Sequence, residues 1–256
     1  MLVHHAMLIS LALFAGMVLL LEVGRRWGIH RRREDPDSVG SGQGAVEGAV
    51  YALLGLLIAF TFSAAAVRFE ARRALVVEEA NNIGTAWLRL DLLAAEAQAP
   101  LRDLFRRYLD SRIEFYRKLP DAEAALAELG RSNKMQGEIW TQAVKASRDG
   151  SPAVVFLLLP ALNDMFDITT TRTWAARNHS PGIIFVTLAL FALAGALMAG
   201  FAMSQGSKRS WLHVIGFAAL MAAIFYVIVD FEYPRMGLIR LDESDQVLID
   251  LRQSMN

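Results

Sequence analysis

The sequence contains no cysteine and has no net charge. The absence of cysteine excludes disulfide bridges and thiolate catalysis. Twenty-six Lys and Arg balance 26 Asp and Glu, and a net charge of zero argues against a nucleic-acid partner. Only five histidines are present, and the adjacent pair His4 and His5 does not share a helix face. No Gly-x-Ser-x-Gly elbow occurs either. We therefore predict no catalytic residue, no enzyme activity, no metal site and no cofactor.

Charge is also missing from four long apolar segments. They lie between Met1 and Glu22, and at Gly48–Val67, Pro181–Ser207 and Trp211–Val229. Each has about twenty residues, the length at which a helix crosses a hydrocarbon core of about 30 Å. Lipid offers no hydrogen-bond partners to a backbone, so such segments are helical in a membrane. Arginines follow the first segment and no basic region precedes it, which predicts a retained helix rather than a signal peptide.

A charged segment separates the second and third apolar stretches. Residues 68–180 carry sixteen Lys/Arg and fifteen Asp/Glu, and their apolar residues recur at three- and four-residue steps. We predict an all-α integral membrane protein with four transmembrane helices, two on either side of a central helical aqueous domain. The predicted segments are a first transmembrane helix at 1–24, a short basic and glycine-rich loop at 25–46, a second transmembrane helix at 47–67, the aqueous domain at 68–180, a third transmembrane helix at 181–204, a short loop at 205–210, a fourth transmembrane helix at 211–230, and a tail with an amphipathic helix at 231–256.

The second transmembrane helix is the first candidate for a functional element. No proline or glycine interrupts the chain between Gly55 and Gly84, so this helix is predicted to continue unbroken from lipid into water. Its candidate pore residues share one side of the helix and are Leu53, Leu56, Phe60, Ser63 and Ala64. In an oligomer, such a stripe lines a hydrophobic constriction that gates by dewetting. The alternative interpretation is that the stripe packs against neighbouring helices.

Two polar groups lie near the membrane boundaries. The first is a candidate vestibule or polar network made of Arg72, Arg73, Glu78, Glu79, Asn81 and Asn82. Ordinary pairing on a solvated helix surface explains this group equally well. The second group follows the fourth transmembrane helix and consists of Asp230, Tyr233, Pro234 and Arg235. Acidic groups there, Glu232 included, are candidates to pair with the arginines at 68–73 and clamp the structure, with a ligand site as the alternative.

The direction of insertion follows from two arguments that disagree. An even number of crossings places both short loops on one side and the central domain on the other. Five arginines in the first loop, with Lys208 and Arg209 in the second, favour cytoplasmic loops by the positive-inside rule. Seven arginines flank the opposite face and favour the reverse: Arg68, Arg72, Arg73, Arg172, Arg177, Arg235 and Arg240. Long domains cross largely regardless of charge, so the two counts together place the central domain outside. The expected location is the inner plasma membrane, crossed several times.

Three stretches carry a resemblance to a known family. Ala59–Ser63, Glu79–Ala86 and Tyr233–Arg240 resemble the bestrophin-like family found widely in bacteria, and the resemblance covers nearly the whole chain. Bestrophins proper share this plan and are pentameric anion channels whose second membrane helix lines a hydrophobic neck. The resemblance implies an anion-selective pentamer, makes Leu56, Phe60 and Ala64 or Ser63 neck candidates, and places the central domain in the cytoplasm. No counterpart of the calcium-binding acidic clasp of animal bestrophins is found in this sequence.

Two functions from different classes fit these observations. The first is a homo-oligomeric ion channel, pentameric and anion-selective by resemblance, whose partners are lipid, copies of itself and small ions. The second is a non-conducting membrane scaffold or sensor whose aqueous domain binds a protein or small ligand. A transporter is disfavoured, because no spanning segment shows the broken-helix pattern or buried charge pair typical of transporter sites.

Overall fold

The structure, a computed structural model, describes residues 2–34, 43–119, 121–148, 152–205, 210–235 and 237–255. This part of the chain is all-helical and contains no strand, which confirms the predicted fold class. The helices are α1 (Leu2–Glu34), α2 (Gln43–Arg89), α3 (Ala95–Lys118), α4 (Ala122–Arg148), α5 (Pro152–Arg177), α6 (Gly182–Ala202), α7 (Trp211–Glu232) and α8 (Asp242–Ser254), with short 3-10 turns at Leu90–Leu92 and Met203–Gln205.

Helix α1 ends ten residues later than predicted. The segment from residue 25 was expected to be a loop, yet the helix continues to Glu34. Glu22 supports the extension, because its carboxylate pairs with Arg25 and Arg26 one turn further along. Three arginines in the last turn also suit the negative end of the helix dipole. The remaining loop predictions at 35–42 and 206–209 lie outside the described residues.

The chain divides into two compact units. The first unit comprises residues 1–68 and 179–238 and holds α1, the first half of α2, α6 and α7. Its core consists of apolar side chains from all four helices, among them Met17, Leu54, Ala196, Ala218 and Phe225. Among the described residues, four segments are long and apolar enough to cross a membrane, and they begin at residues 6, 44, 152 and 211. The third of these continues into α6, so each helix of the first unit contributes one candidate span.

Helices α1 and α6 approach each other closely at two glycines. A Cβ atom added to Gly200 would lie 2.0 Å from the carbonyl oxygen of Leu21, and one added to Gly24 would lie 2.0 Å from that of Leu197. Contacts this short involve backbone atoms, which do not move aside as a flexible side chain does. Small residues at helix contacts give membrane helices their close packing. The α1–α6 contact therefore requires glycine at both positions.

We expect Gly200→Ala to destabilise the protein by about 1–3 kcal/mol, the usual cost of overpacking. The measurement is the thermal unfolding midpoint of the purified protein in detergent. Gly216→Ala is the matched control, because nothing lies within 4 Å of a Cβ added to Gly216 in α7. Its midpoint should be unchanged or higher, and an equal loss in both variants would contradict the close α1–α6 contact.

The second unit comprises residues 69–178 and 239–256. It contains the second half of α2 with α3, α4, α5 and α8. The apolar stripe predicted along α3 is buried at Leu101, Leu104, Phe105, Tyr108, Leu109 and Tyr116. Ile113, the remaining member of that stripe, is half-buried. Asp121 caps α4, since its Oδ1 accepts the backbone N–H groups of Glu123 (3.1 Å) and Ala124 (3.2 Å).

Helix α2 contains the candidate span with the smallest share of buried residues. It runs for 47 residues without a break, as the absence of proline and glycine between Gly55 and Gly84 predicts. In its most apolar segment only 11% of the residues are buried, compared with 22% or more in the other three candidate spans. An apolar helix with so few buried residues requires lipid or another protein chain against it.

Candidate pore-lining face and buried polar networks

The five candidate pore residues all lie on the uncovered side of α2. Leu53 is 51% exposed, Leu56 50% and Phe60 64%. Ser63 and Ala64 are exposed as well. Packing within one copy of the chain occurs elsewhere on α2, where Leu54 and Ala65 are buried. The hydroxyl of Tyr51 donates a hydrogen bond to the carbonyl of Gly195 (3.0 Å), which ties α2 to α6. In a single copy the described helices therefore leave at least half of Leu53, Leu56 and Phe60 uncovered, and the choice between a pore stripe and packing against neighbouring helices stays a prediction.

A buried ionic network occupies the core of the second unit. Glu79 of α2 is fully buried and accepts hydrogen bonds from Arg112 Nε (2.6 Å) and the Tyr116 hydroxyl (3.0 Å), both of α3. Arg172 of α5 reaches the same carboxylate through Nη1. The guanidinium of Arg172 also lies 3.8 Å from the ring centroid of Tyr116, a cation–π geometry. One carboxylate thus joins α2, α3 and α5.

Electrostatics keep this network charged. Burial opposes ionisation of Glu79, but the charges of Arg112 and Arg172 outweigh it and hold the pKa of this carboxyl at about 2. Burial, with the negative charge of Glu79, raises the pKa of Tyr116, so its hydroxyl remains a hydrogen-bond donor. Two arginines against one carboxylate leave this core with more positive than negative charge. Asp245 of α8 lies 3.8 Å from Arg172 and offsets part of it.

A second carboxylate, at the end of α7, binds the middle of α2 in the first unit. Glu232 is 1% exposed and accepts hydrogen bonds from Arg68 Nε (2.9 Å) and from the Ser180 hydroxyl (2.8 Å). His179 Nδ1 lies 3.7 Å from the same carboxylate. The ring of His179 stacks on that of Tyr233, with centroids 4.5 Å apart. These contacts fix the position at which the chain enters α6 and leaves α7.

Asp230 holds the turn after α7. It is 4% exposed, and its Oδ2 accepts the backbone N–H of Leu238 (3.0 Å). A Cβ on Gly237 would lie 1.2 Å from Asp230 Oδ1, so only glycine fits there. Pro234 is buried and Arg235 half-buried in the same turn. Asp230 therefore holds the backbone of this turn, and the predicted role of the group as a clamp stays a prediction.

Comparison with known proteins identifies the family. A family model described as Bestrophin-like domain matches residues 11–245. The chain belongs to the bestrophin-like family. Among curated protein sequences, none matches it. Crystal structures of a bacterial bestrophin homolog from Klebsiella pneumoniae are similar in fold at 14% identity. A tyrosine-to-alanine mutant gives a TM-score of 0.65 over 93% of this chain and 98% of that one. A tryptophan-to-alanine mutant gives 0.69 over 96% and 97%.

Within this bestrophin-like fold, the predicted polar group on α2 divides in two. Arg72 and Glu79 are buried, and Arg72 donates hydrogen bonds to the carbonyls of Ala175 (3.1 Å) and Asn178 (2.9 Å). The others lie at or near the surface: Arg73, Glu78 and Asn81 are exposed, and Asn82 is half-buried. Only the exposed members are available to ions or partners.

Sequence reasoning missed Arg112, Tyr116 and Arg172 as partners of Glu79. A signal for Arg112 was present, because it continues the apolar stripe of α3 three residues after Leu109. A charged residue at a core position requires a partner of opposite sign. The sequence gives no signal for which carboxylate that partner is, since Glu79 is 33 residues away.

Proposed function

We propose that this bestrophin-like membrane protein is a homo-oligomeric ion channel whose pore is lined by helix α2. One observation carries the proposal: the apolar stripe containing Leu53, Leu56 and Phe60 is uncovered along α2. A ring of copies that turns this stripe inward forms a hydrophobic neck, which gates by dewetting. The resemblance to bestrophins supports a pentamer in the inner plasma membrane.

The stripe suits an inner face better than a lipid-facing one. Ser63 and Ala64 stand beside Phe60 on the exposed side, and small residues there allow helices of neighbouring copies to approach. The same helix continues into the aqueous unit without a break. If the uncovered face of α2 only contacted lipid, there would be no reason for it to stay exposed on the part of the helix that lies beyond the hydrocarbon. The sign of the permeant charge is a separate question: the resemblance implies anions, whereas the exposed α2 face carries an acidic side chain.

Purified protein in liposomes provides the test. We expect ion flux that scales with the amount of protein incorporated, together with an intact-complex mass of five chains. The control for leak caused by the preparation is the same protein, denatured by heat in detergent and then reconstituted into liposomes in the same way. If the native protein gives no flux and has the mass of a single chain, the channel proposal is contradicted and the non-conducting scaffold or sensor is favoured.

A further inference from the structure

Three buried polar atoms lie where α1 meets the end of α6. They are the Nε atoms of Arg25 and Arg32 and the hydroxyl oxygen of Ser204, and none has a hydrogen-bond partner among the residues that the structure describes. The carboxylate of Glu22 is 3.8 Å from Arg25 Nε, beyond hydrogen-bond distance. Buried polar atoms in proteins are nearly always hydrogen-bonded, so these three atoms indicate a group that binds from outside the chain.

The packing of α1 on α6 places Ser204 between the two arginines. Arg25 and Arg32 are seven residues apart, which puts them on the same face of α1, about 10 Å apart along its axis. Gly28 lies between them, and a Cβ added there would lie 2.7 Å from the Cβ of Ser204 and 2.9 Å from the carbonyl oxygen of Phe201. Ser204 is 8% exposed and is therefore held against the turn of α1 that separates the arginines.

The acidic side chains on this part of α1 do not balance its arginines. Residues 22–34 hold five arginines and two glutamates. Glu22 accepts a hydrogen bond from Arg26 Nε (2.7 Å), and Glu34 lies 3.4 Å from His30. A water molecule would satisfy a donor but would leave the excess positive charge in place. Phosphate oxygens satisfy both, because guanidinium donors match them in geometry and charge.

The cluster lies at the level expected for lipid headgroups. Met17 and Leu21 belong to the apolar core of the first unit, and charged residues begin at Glu22. Trp27 is 58% exposed, and its ring contacts that of Phe201 edge-to-face with centroids 5.6 Å apart. Tryptophan is enriched where the hydrocarbon meets the headgroups, and basic pockets between membrane helices bind anionic headgroups. A phosphate at this level therefore fits a membrane lipid better than a free anion.

We propose that Arg25, Arg32 and Ser204 bind the phosphate group of an anionic phospholipid. The two Nε–H groups and the Ser204 hydroxyl donate hydrogen bonds to its oxygens, while the acyl chains lie in the hydrocarbon beside α1 and α6. An anionic lipid brings a net negative charge that offsets the arginines, whereas a zwitterionic lipid does not. The site requires no pore, so this inference goes beyond the proposed function.

Lipid titrations of the detergent-purified protein, followed by native mass spectrometry, test the site. We expect phosphatidylglycerol to bind the wild type more tightly than phosphatidylcholine with the same acyl chains. The double variant Arg25→Lys/Arg32→Lys should lower the affinity for phosphatidylglycerol at least about tenfold, since lysine keeps the charge but lacks the Nε–H donor. Ser204→Ala should lower it about threefold, as expected for one neutral hydrogen bond.

Arg31→Lys/Arg33→Lys is the matched control, because both arginines belong to the same basic run, are exposed, and keep their charge in the variant. Its affinity should equal that of the wild type. Unfolding midpoints without lipid separate lost binding from a damaged fold, and Ser204→Ala decides the outcome if the first double variant is damaged.

Three results would overturn the lipid site. They are equal losses in the two double variants, equal binding of phosphatidylglycerol and phosphatidylcholine, and displacement of the lipid by inorganic phosphate at equal concentration, which would assign the site to a free anion. The titration measures no ion flux. A failure of the channel proposal therefore leaves this test unaffected, and a failure of the lipid site leaves the channel standing.

Discussion

Glu79→Gln destabilises the protein by about 3–5 kcal/mol, the usual cost of removing one partner from a buried ionic network. The substitution keeps the shape of the side chain but leaves Arg112 without its carboxylate and Arg172 with only the more distant Asp245 (3.8 Å). Both arginines are buried, so water does not replace the lost partner. The free energy of unfolding in detergent, measured by denaturant titration, is the readout.

The control for this variant is its neighbour, Glu78→Gln. Glu78 is exposed, so its substitution should change the free energy of unfolding by less than about 0.5 kcal/mol. Equal losses in the two variants would contradict the network.

Lowering the pH provides a second test of the stabilisation that the ionised Glu79 carboxylate contributes. Its pKa of about 2 lies below the value of 4.5 expected without these contacts, so its contribution is complete above pH 4.5 and is lost as the pH falls towards 2. The difference in unfolding free energy between wild type and Glu79→Gln should therefore shrink across that window. A difference that stays constant over the same pH range would argue against an ionised Glu79.

Phe60→Ala raises the ion flux about tenfold, the increase that corresponds to a barrier lowered by about 1.4 kcal/mol. Phe60 is the largest side chain of the uncovered stripe, and 64% of it is exposed in a single copy. Removing the ring widens a hydrophobic neck and favours its wetting. The same truncation of a lipid-facing or packed side chain would not increase flux. The measurement is the initial rate of ion release from proteoliposomes at matched protein content.

Phe62→Ala controls for the loss of an aromatic ring. Phe62 lies two residues further along α2 and contacts Phe231 edge-to-face, with ring centroids 5.5 Å apart. Its truncation should lower stability without raising the flux. A rise of equal size in both variants would indicate leakage from a damaged protein and would contradict the assignment of Phe60 to the neck.

The helices were predictable where the sequence has long apolar runs or long stretches without proline and glycine. Four apolar segments predicted four candidate spans, and the lack of breakers after Gly55 predicted that α2 continues beyond the membrane. The end of α1 was not predictable from apolarity alone. It depends on ion pairs of Glu22 and on the close approach of Gly24 to α6, both of which lie outside a hydropathy pattern.

The polar networks were harder to predict, because the residues that form them are distant in sequence. Nothing local to Glu79 distinguishes it from Glu78, yet one is buried between two arginines and the other is exposed. The side of the helix decides this, and the side is fixed by packing of α3 and α5. Likewise, Glu232 meets Arg68 across 164 residues, a pairing that charge complementarity suggested but did not specify.

The position of α2 in the assembled complex tests the central claim most directly. An image of the protein in lipid nanodiscs, viewed along the membrane normal, should show a closed ring of five copies. In that ring α2 should be innermost, and Phe60 should line its narrowest part. Isolated copies, or a ring in which Phe60 faces the acyl chains, would contradict the account.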